Sequence, residues 1–291
     1  MKWEAMPMKI LLPLDGSKFS ESAIPVARSL AERWQAELIL VRVADPFVGV
    51  GTPAMAVALV EQEKAAAGPY LEEIQLQFPL LQVRGLRPLG VAREAITKVA
   101  AEEQCDVIVM ASHGRSGLMR WLLGSVAEGV LRHAPCPVLM LRPDLSIPEG
   151  GFKNVLLPVD GSDLSSAVVA KLEPYLADDA KITVVRASEL GDNEHSVLFD
   201  AQARATYLAT LEEEIRQVTI PGRNLSYQVL DGQAAHALLE LATETQSDLI
   251  AMATHGRTGF RRTVLGSVTE RVVRHATCAV LACTTEDHKQ N

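Results

Sequence analysis

The sequence has few aromatic residues, no excess of positive charge and no long apolar run. Aromatic side chains make up 4% of the 291 residues, and Asp and Glu outnumber Lys and Arg by 36 to 28. Broad binding to nucleic acid needs clustered positive charge, which this composition disfavours. No apolar run approaches the roughly 20 residues of a membrane helix, and the first residues do not resemble a signal peptide. We therefore expect a cytoplasmic protein that binds neither nucleic acid nor membrane.

Cysteine is sparse as well. The four cysteines show no C-x-x-C spacing and lie in or beside apolar stretches, which favours buried, reduced thiols. Two half zinc sites occur, His133-x-x-Cys136 and His275-x-x-Cys278. Because neither has two further ligands nearby, we interpret them as packing residues and assign no metal.

The most informative feature that is present is a repeat. Residues 111–138 and 253–280 are identical at 17 of 28 aligned positions, at a constant offset of 142. Earlier in each half, 9–17 (KILLPLDGS) matches 154–162 (NVLLPVDGS) at an offset of 145. Two such matches along the chain indicate a duplicated domain. Because 142–153 holds two prolines and two glycines, we predict domains of 1–147 and 148–291.

Each half alternates apolar strand-like segments with helical ones. The apolar residues are mostly Val, Leu, Ile and Ala, which suits strands buried on both faces. Helix one is predicted over about 17–35, and strand two of the second half over 181–187. The alternation predicts an α/β fold of two tandem, doubly wound, five-stranded and mainly parallel sheets with helices on both faces. Ligands of such sheets bind beyond the carboxyl ends of the strands, where the strand order reverses.

The first segment at a predicted strand end is Pro-x-Asp-Gly-Ser, which begins at Pro13 and again at Pro158. Asp15 and Asp160 thereby end strand one of each half just before a glycine turn. From there a carboxylate accepts a hydrogen bond from a ribose or an amino group. An Asx turn or a cap on the following helix explains an aspartate here equally well, and the sequence leaves both roles open.

The second segment follows strand four. Ala111 is followed by Ser-His-Gly-Arg-Ser-Gly, and nine residues separate Gly114 from Gly124, which with Ser125 opens the next helix. The second half repeats this spacing from Ala253. Glycines allow a phosphate close to the backbone, and the first N–H groups of a helix bind anions. The segment is therefore a candidate phosphate cradle.

A structural alternative exists for the same residues. Ser125 to Glu128 and Ser267 to Glu270 both fit the S-x-x-E capping box, in which the serine caps its own helix. Capping explains the serine and the glutamate. It does not explain the glycines, the histidine and the arginine that precede them in both halves.

With these motifs the chain resembles the universal stress protein family across both halves. The resemblance rests on Pro-x-Asp-Gly-Ser, on [Gly/Ala]-x2-Gly-x9-Gly-Ser, and on the flanking Ser/Thr-His-Gly-Arg-Ser/Thr-Gly and Arg-His-Ala-x-Cys-x-Val. It implies an adenine nucleotide alpha hydrolase-like fold and ATP, with or without Mg²⁺, as cofactor. The implied nucleotide-binding residues of the first half are Pro13, Asp15, Val43, Ala111, His113, Gly114, Arg115, Gly117, Gly124, Ser125 and Val126. Those of the second half are Pro158, Asp160, Ala187, Ala253, His255, Gly256, Arg257, Gly259, Gly266, Ser267 and Val268.

The chain departs from the family pattern at the first motif glycine, which is alanine in both halves. A methyl group there narrows the crevice. In the second half Ala187 stands where the first has Val43, so we expect the first site to bind better. The histidine and arginine of each loop suit either loop ordering or contact with phosphate, and the sequence leaves this open.

The function that the resemblance implies is an ATP-binding stress-response sensor or regulator with an unidentified protein target. Slow ATP hydrolysis, with Asp15 or Asp160 as Mg²⁺ ligands, and a nucleotide-free scaffold are the alternatives, and no catalytic residue is assigned. Single-domain members dimerise through strand five. The resemblance therefore implies an intramolecular pseudo-dimer through 137–141 and 278–282, and it leaves a further homodimer open.

Overall fold

The computed structural model describes residues 7–45, 53–112, 123–143, 145, 147–188, 201–254 and 265–283. The chain forms two compact units, with the division between residues 146 and 147. Within these described ranges, no helix combines the length and the apolar character that crossing a bilayer requires.

The first unit is one parallel sheet with five helices among its described residues. Its strand order is β3-β2-β1-β4-β5, so the order reverses between β1 and β4. In chain order the elements are β1 Lys9–Pro13, α1 Lys18–Glu21, α2 Ile24–Trp34, β2 Glu37–Val41, α3 Pro53–Gln75, β3 Val83–Leu86, α4 Ala92–Glu102, β4 Val107–Ala111, α5 Ser125–His133 and β5 Val138–Leu141.

The second unit repeats this topology. Its strands are parallel in the order β8-β7-β6-β9-β10, with the reversal between β6 and β9. Its elements are β6 Phe152–Pro158, α6 Asp163–Leu172, a 3₁₀ turn Glu173–Tyr175, β7 Leu176–Ala187, α7 Ala201–Arg216, β8 Leu225–Leu230, α8 Ala234–Glu244, β9 Leu249–Ala253, α9 Ser267–His275 and β10 Ala279–Cys283. The predicted α/β class, the tandem repeat and the mainly parallel sheets are confirmed.

The central strands form the core of each unit. Every residue of β2, β4, β5 and β10 is buried, as expected for parallel strands covered on both faces. The outer strands are only partly covered: β3 is half-buried throughout, and β8 alternates between half-buried and exposed positions. The four cysteines are buried, and none of them forms a disulfide. Burial raises the pKa of the Cys105 and Cys283 thiols to about 12, which keeps both protonated.

Two predicted elements differ from the structure. The helix expected over 17–35 is two helices, α1 and α2, because Pro25 lies in the first turn of α2. A proline is tolerated there but would interrupt a continuous helix. Strand β7 begins at Leu176, five residues earlier than the expected 181, and Leu176 pairs with Phe152 across a bulge. Its exposed Asp178 and Asp179 hide this extension from the apolar pattern.

The burial of the strands makes a direct stability prediction. Leu139 in β5 is 0% exposed, whereas Leu80, which precedes β3, is 96% exposed. We expect Leu139→Ala to lower the free energy of unfolding by about 2–5 kcal/mol, because it leaves a cavity in a packed core. The same substitution at Leu80 should change it by less than about 0.5 kcal/mol. Equal urea midpoints for the two variants would contradict the described packing.

Candidate functional site

The candidate site of each unit lies where the strand order reverses. In the first unit Ile10 of β1 pairs with Val107 of β4, and Pro13 pairs with Val41 of β2. The carboxyl ends of these three strands therefore meet at one edge of the sheet. The residues that follow them, among them Asp15, lie at this edge, which is the usual ligand position in this type of sheet.

A tight turn fixes Asp15 at this edge. The N–H of Leu14 donates to the carbonyl of Val41 at 2.7 Å, and Gly16 follows Asp15 with φ of +79°. The Asp15 carboxylate accepts the N–H of Ser17 at 2.9 Å, so it closes an Asx turn. Ser17, not Asp15, caps α1 by accepting the N–H of Ser20. The Asx-turn role left open by the sequence is therefore realised, and the capping role is not.

The second unit builds the same turn with different hydrogen bonding. Asp160 Oδ1 accepts both the N–H of Ser162 at 3.0 Å and its hydroxyl at 2.5 Å. In the first unit the matching hydroxyl of Ser17 accepts a hydrogen bond from the helix instead. Both hydrogen bonds from Ser162 therefore hold the Asp160 carboxylate in its turn.

Helix α5 begins at the crevice without a side-chain cap. Its N-cap residue is Gly124, Ser125 is the first helical residue and exposed, and no described side chain bonds to the helix start. Because Gly124 is the N-cap residue, the serine of the S-x-x-E motif does not cap this helix, and Glu128 pairs with Arg132 one turn later at 2.6 Å. Helix α9 has the same arrangement, with Gly266 at the N-cap position. Uncapped N–H groups at a helix start are donors for an anion.

A backbone hydrogen bond ties the helix start to the end of β4. The N–H of Gly124 donates to the carbonyl of Ser112 at 3.1 Å, and the N–H of Ser112 donates to Leu141 of β5 at 2.9 Å. The second unit has the same pair of bonds, from Gly266 to Thr254 and from Thr254 to Cys283, both at 2.9 Å. The sheet edge thus fixes where each helix begins.

Glycine at position 124 is not required by the backbone or by the described packing. Its φ is −64°, which any residue adopts. A Cβ built on Gly124 would meet only the Ser112 carbonyl, at 3.6 Å, which is ordinary contact. Among the described atoms there is room for a side chain. Glycine at this position is a favoured N-cap residue, and it also leaves space for a ligand close to the backbone.

The other predicted residues divide into two groups. Those described lie at the same edge: Pro13 and Ala111 are buried, and Val43, Val126, Pro158, Asp160, Ala187, Ala253, Gly266 and Val268 are half-buried, while Ser267 is exposed. The predicted loop residues lie outside the described part of the chain: His113, Gly114, Arg115, Gly117, His255, Gly256, Arg257 and Gly259.

Sequence reasoning missed two buried arginines beside this edge. Arg42 follows β2 directly and pairs with Glu63 of α3 at 3.1 Å. Arg186, in β7, pairs with Glu214 of α7. The sequence did contain a signal for them, because an arginine interrupts an apolar stretch at the same place in both halves. A buried charge needs such a partner.

Comparison with known proteins decides the family. The model of the universal stress protein family matches residues 6–142 and again residues 151–284. The chain belongs to the universal stress protein family. Because the match occurs twice, this universal stress protein is a tandem of two family domains.

Relatives agree with this assignment. A universal stress protein of Mycolicibacterium smegmatis is 29% identical over 290 residues, covering 94% of this chain and 95% of that protein. One from Methanocaldococcus jannaschii is 33% identical over 144 residues, covering 48% of this chain and 84% of that protein. The crystal structure of a universal stress protein from Archaeoglobus fulgidus has a TM-score of 0.71 at 21% identity, covering 96% and 99% of the two chains. The last likeness shows a shared fold.

Substitution by alanine should affect the free energy of unfolding differently at Gly16 and at Gly124, two glycines of the candidate site in the first domain. At Gly16 a Cβ would meet the Arg42 guanidinium at 3.0 Å, in a backbone conformation with φ of +79°. Gly16→Ala should therefore lower the free energy of unfolding by about 1–3 kcal/mol. Gly124→Ala should change it by less than about 1 kcal/mol, because the lower entropy of the unfolded chain opposes the poorer helix cap that alanine makes. Urea denaturation measures both, and a marked loss with Gly124→Ala would mean that the fold itself needs this glycine.

Proposed function

We propose that this universal stress protein binds ATP in its crevices and acts as a cytoplasmic, nucleotide-dependent regulator in stress response. The observation that carries the proposal is the start of α5, where a glycine and uncapped N–H groups lie at the point of strand reversal. The second domain has the same arrangement at α9. Family membership supports the proposal, because the motif spacing is that of the members that bind ATP.

The phosphates would lie at the helix start. The helix dipole gives this end a partial positive charge, and its first N–H groups have no side-chain acceptor among the described residues. The exposed hydroxyl of Ser125 adds a donor beside them. A phosphate can thus be held without a lysine.

The nucleoside would lie towards β1 and β2. Asp15 is half-buried and its turn fixes it at the strand end, where its carboxylate would accept a ribose hydroxyl. Val43 beyond β2 and Val126 in α5 are both half-buried and offer apolar surface to the adenine ring. The two ends of the crevice therefore suit the two ends of the ligand.

The first site should bind more tightly than the second. Asp160 already accepts two hydrogen bonds from Ser162. Thr269 donates its hydroxyl to the Ala253 carbonyl at 2.9 Å, whereas the first domain has Ala127 at the matching position. Ala187 also gives an adenine less apolar surface than Val43. Asp160 and the Ala253 carbonyl are thus both engaged within the protein.

We propose a regulatory role because each domain has a candidate phosphate cradle and no catalytic residue is assigned. Bound nucleotide would rigidify the loop around residues 112–124 and so change the surface that the domain offers to a protein target. Pairing of the two domains through strand five, and dimerisation of the whole chain, stay predictions.

Isothermal titration of nucleotide-stripped protein with ATP and Mg²⁺ tests the proposal. We expect micromolar binding that Gly124→Glu largely removes, because a carboxylate at the helix start takes the place of phosphate and repels it. Gly266→Glu should remove only a weaker phase, and the double variant should not bind. Leu80→Glu adds the same charge at an exposed position that precedes β3 and should bind like the parent.

Two outcomes would contradict parts of this proposal. Absence of heat and of any thermal shift at millimolar ATP would remove nucleotide binding and favour the scaffold. Steady phosphate release by the parent protein that is lost in the Gly124→Glu, Gly266→Glu variant would replace the regulator with a slow ATPase.

A further inference from the structure

We propose that Arg42 is a positioning residue of the first nucleotide site: its guanidinium holds the turn that carries Asp15 against helix α3. The inference rests on the proposed ATP binding and goes beyond it, because it assigns a function to a side chain outside the family motif. Through this link, ATP binding in the first site should also stabilise α3.

The backbone fixes the direction of the Arg42 side chain. The residue follows β2 directly, and its N–H donates to the carbonyl of Leu86 at 3.1 Å. Only 9% of the residue is exposed, so the guanidinium lies inside the domain. The position that a Cβ of Gly16 would take is 3.0, 3.4 and 3.5 Å from Nη1, Cζ and Nη2 of Arg42. The guanidinium therefore packs directly against the glycine of the Asp15 turn.

The same guanidinium contacts helix α3 at two points. Its Nη2 donates to Glu63 Oε2 at 3.1 Å, and its Cζ lies 4.7 Å from the centroid of the Tyr70 ring. Glu63 and Tyr70 are seven residues apart and therefore share one helix face. The Tyr70 hydroxyl in turn donates to Glu21 of α1 at 2.9 Å. One planar cation thus joins the site turn to α3 and, through Tyr70, to the helix that follows the turn.

Charge supports the same role. Arginine stays protonated, and Asp15, Glu21 and Glu63 are the carboxylates around Tyr70 and Arg42. Burial, together with the hydrogen bond to Glu21, raises the pKa of Tyr70, so this phenol stays neutral. Without Arg42 the cluster would hold negative charges alone beside a site for an anionic ligand. Arg42 therefore supports the site in two ways: it packs against the turn that carries Asp15, and it offsets the negative charge of the surrounding carboxylates.

The first domain also contains a matched control. Arg84 of β3 pairs with Glu37 and with Glu103, so it resembles Arg42 in charge and in its glutamate partners. Glu37 begins β2, so this cluster lies towards the amino ends of the strands, away from the crevice. Loss of Arg84 should cost stability without moving the Asp15 turn.

The experiment compares Arg42→Met, Arg42→Lys and Arg84→Met, each with Gly266→Glu so that only the first site binds. Affinity for ATP is titrated at a temperature at which thermal melts show every variant folded. We expect Arg42→Met to weaken binding by about tenfold or more, Arg42→Lys to rescue part of it, and Arg84→Met to change it by less than about twofold.

Hydrogen exchange distinguishes positioning from general loosening. In the Gly266→Glu parent, ATP should slow amide exchange both in 125–133 and in 60–75. In Arg42→Met at saturating ATP, the slowing should persist in 125–133 and disappear in 60–75. Equal affinities of Arg42→Met and Arg84→Met, or retained slowing in 60–75, would overturn this inference while leaving ATP binding intact. Failure of the Gly266→Glu parent to bind ATP would instead overturn the proposed function of the first site, and this inference with it.

Discussion

The parallel pairing of β1 with both β2 and β4 is the constraint on which the site depends. It places three carboxyl strand ends side by side and reverses the strand order between β1 and β4. The connections on either side of the reversal leave in different directions, which opens a crevice that no single strand could form. Asp15 and the start of α5 belong to one site only because of this pairing. The second domain repeats the same solution through β6, β7 and β9.

Much of this arrangement could be predicted from the sequence, because repeated spacing and apolar alternation are local signals. The start of α5 at Ser125, directly after Gly124, agrees with the prediction. The capping box was ambiguous because S-x-x-E fits two registers: serine as the cap, or serine as the first helical residue after a glycine cap. Only the backbone distinguishes them, and it places Gly124 at the cap.

The features that were missed depend on contacts between distant residues. Arg42 and Glu63 are far apart in the sequence, and nothing local indicates that one guanidinium would lie between Gly16 and Tyr70. The division of helix one was locally visible in Pro25, but the strong helical pattern around it masked the signal. The early start of β7 was hidden by its aspartates, which precede the part of β7 that pairs with β8 from Ile182 onward. Partner-dependent structure of this kind needs the fold before it can be recognised.

The hydrogen bond from Gly124 to Ser112 has a consequence for how such domains diverge. It joins Ser112 to the N-cap residue of α5, and so holds together the two described ends of the chain that flank the segment 113–122. Closing a longer segment on fixed ends adds only a small, logarithmic entropy cost. A change in the length of this segment therefore adds little to the entropy cost of folding the domain. One copy of a duplicated gene is thus free to acquire a different ligand or partner while the other retains the ancestral one.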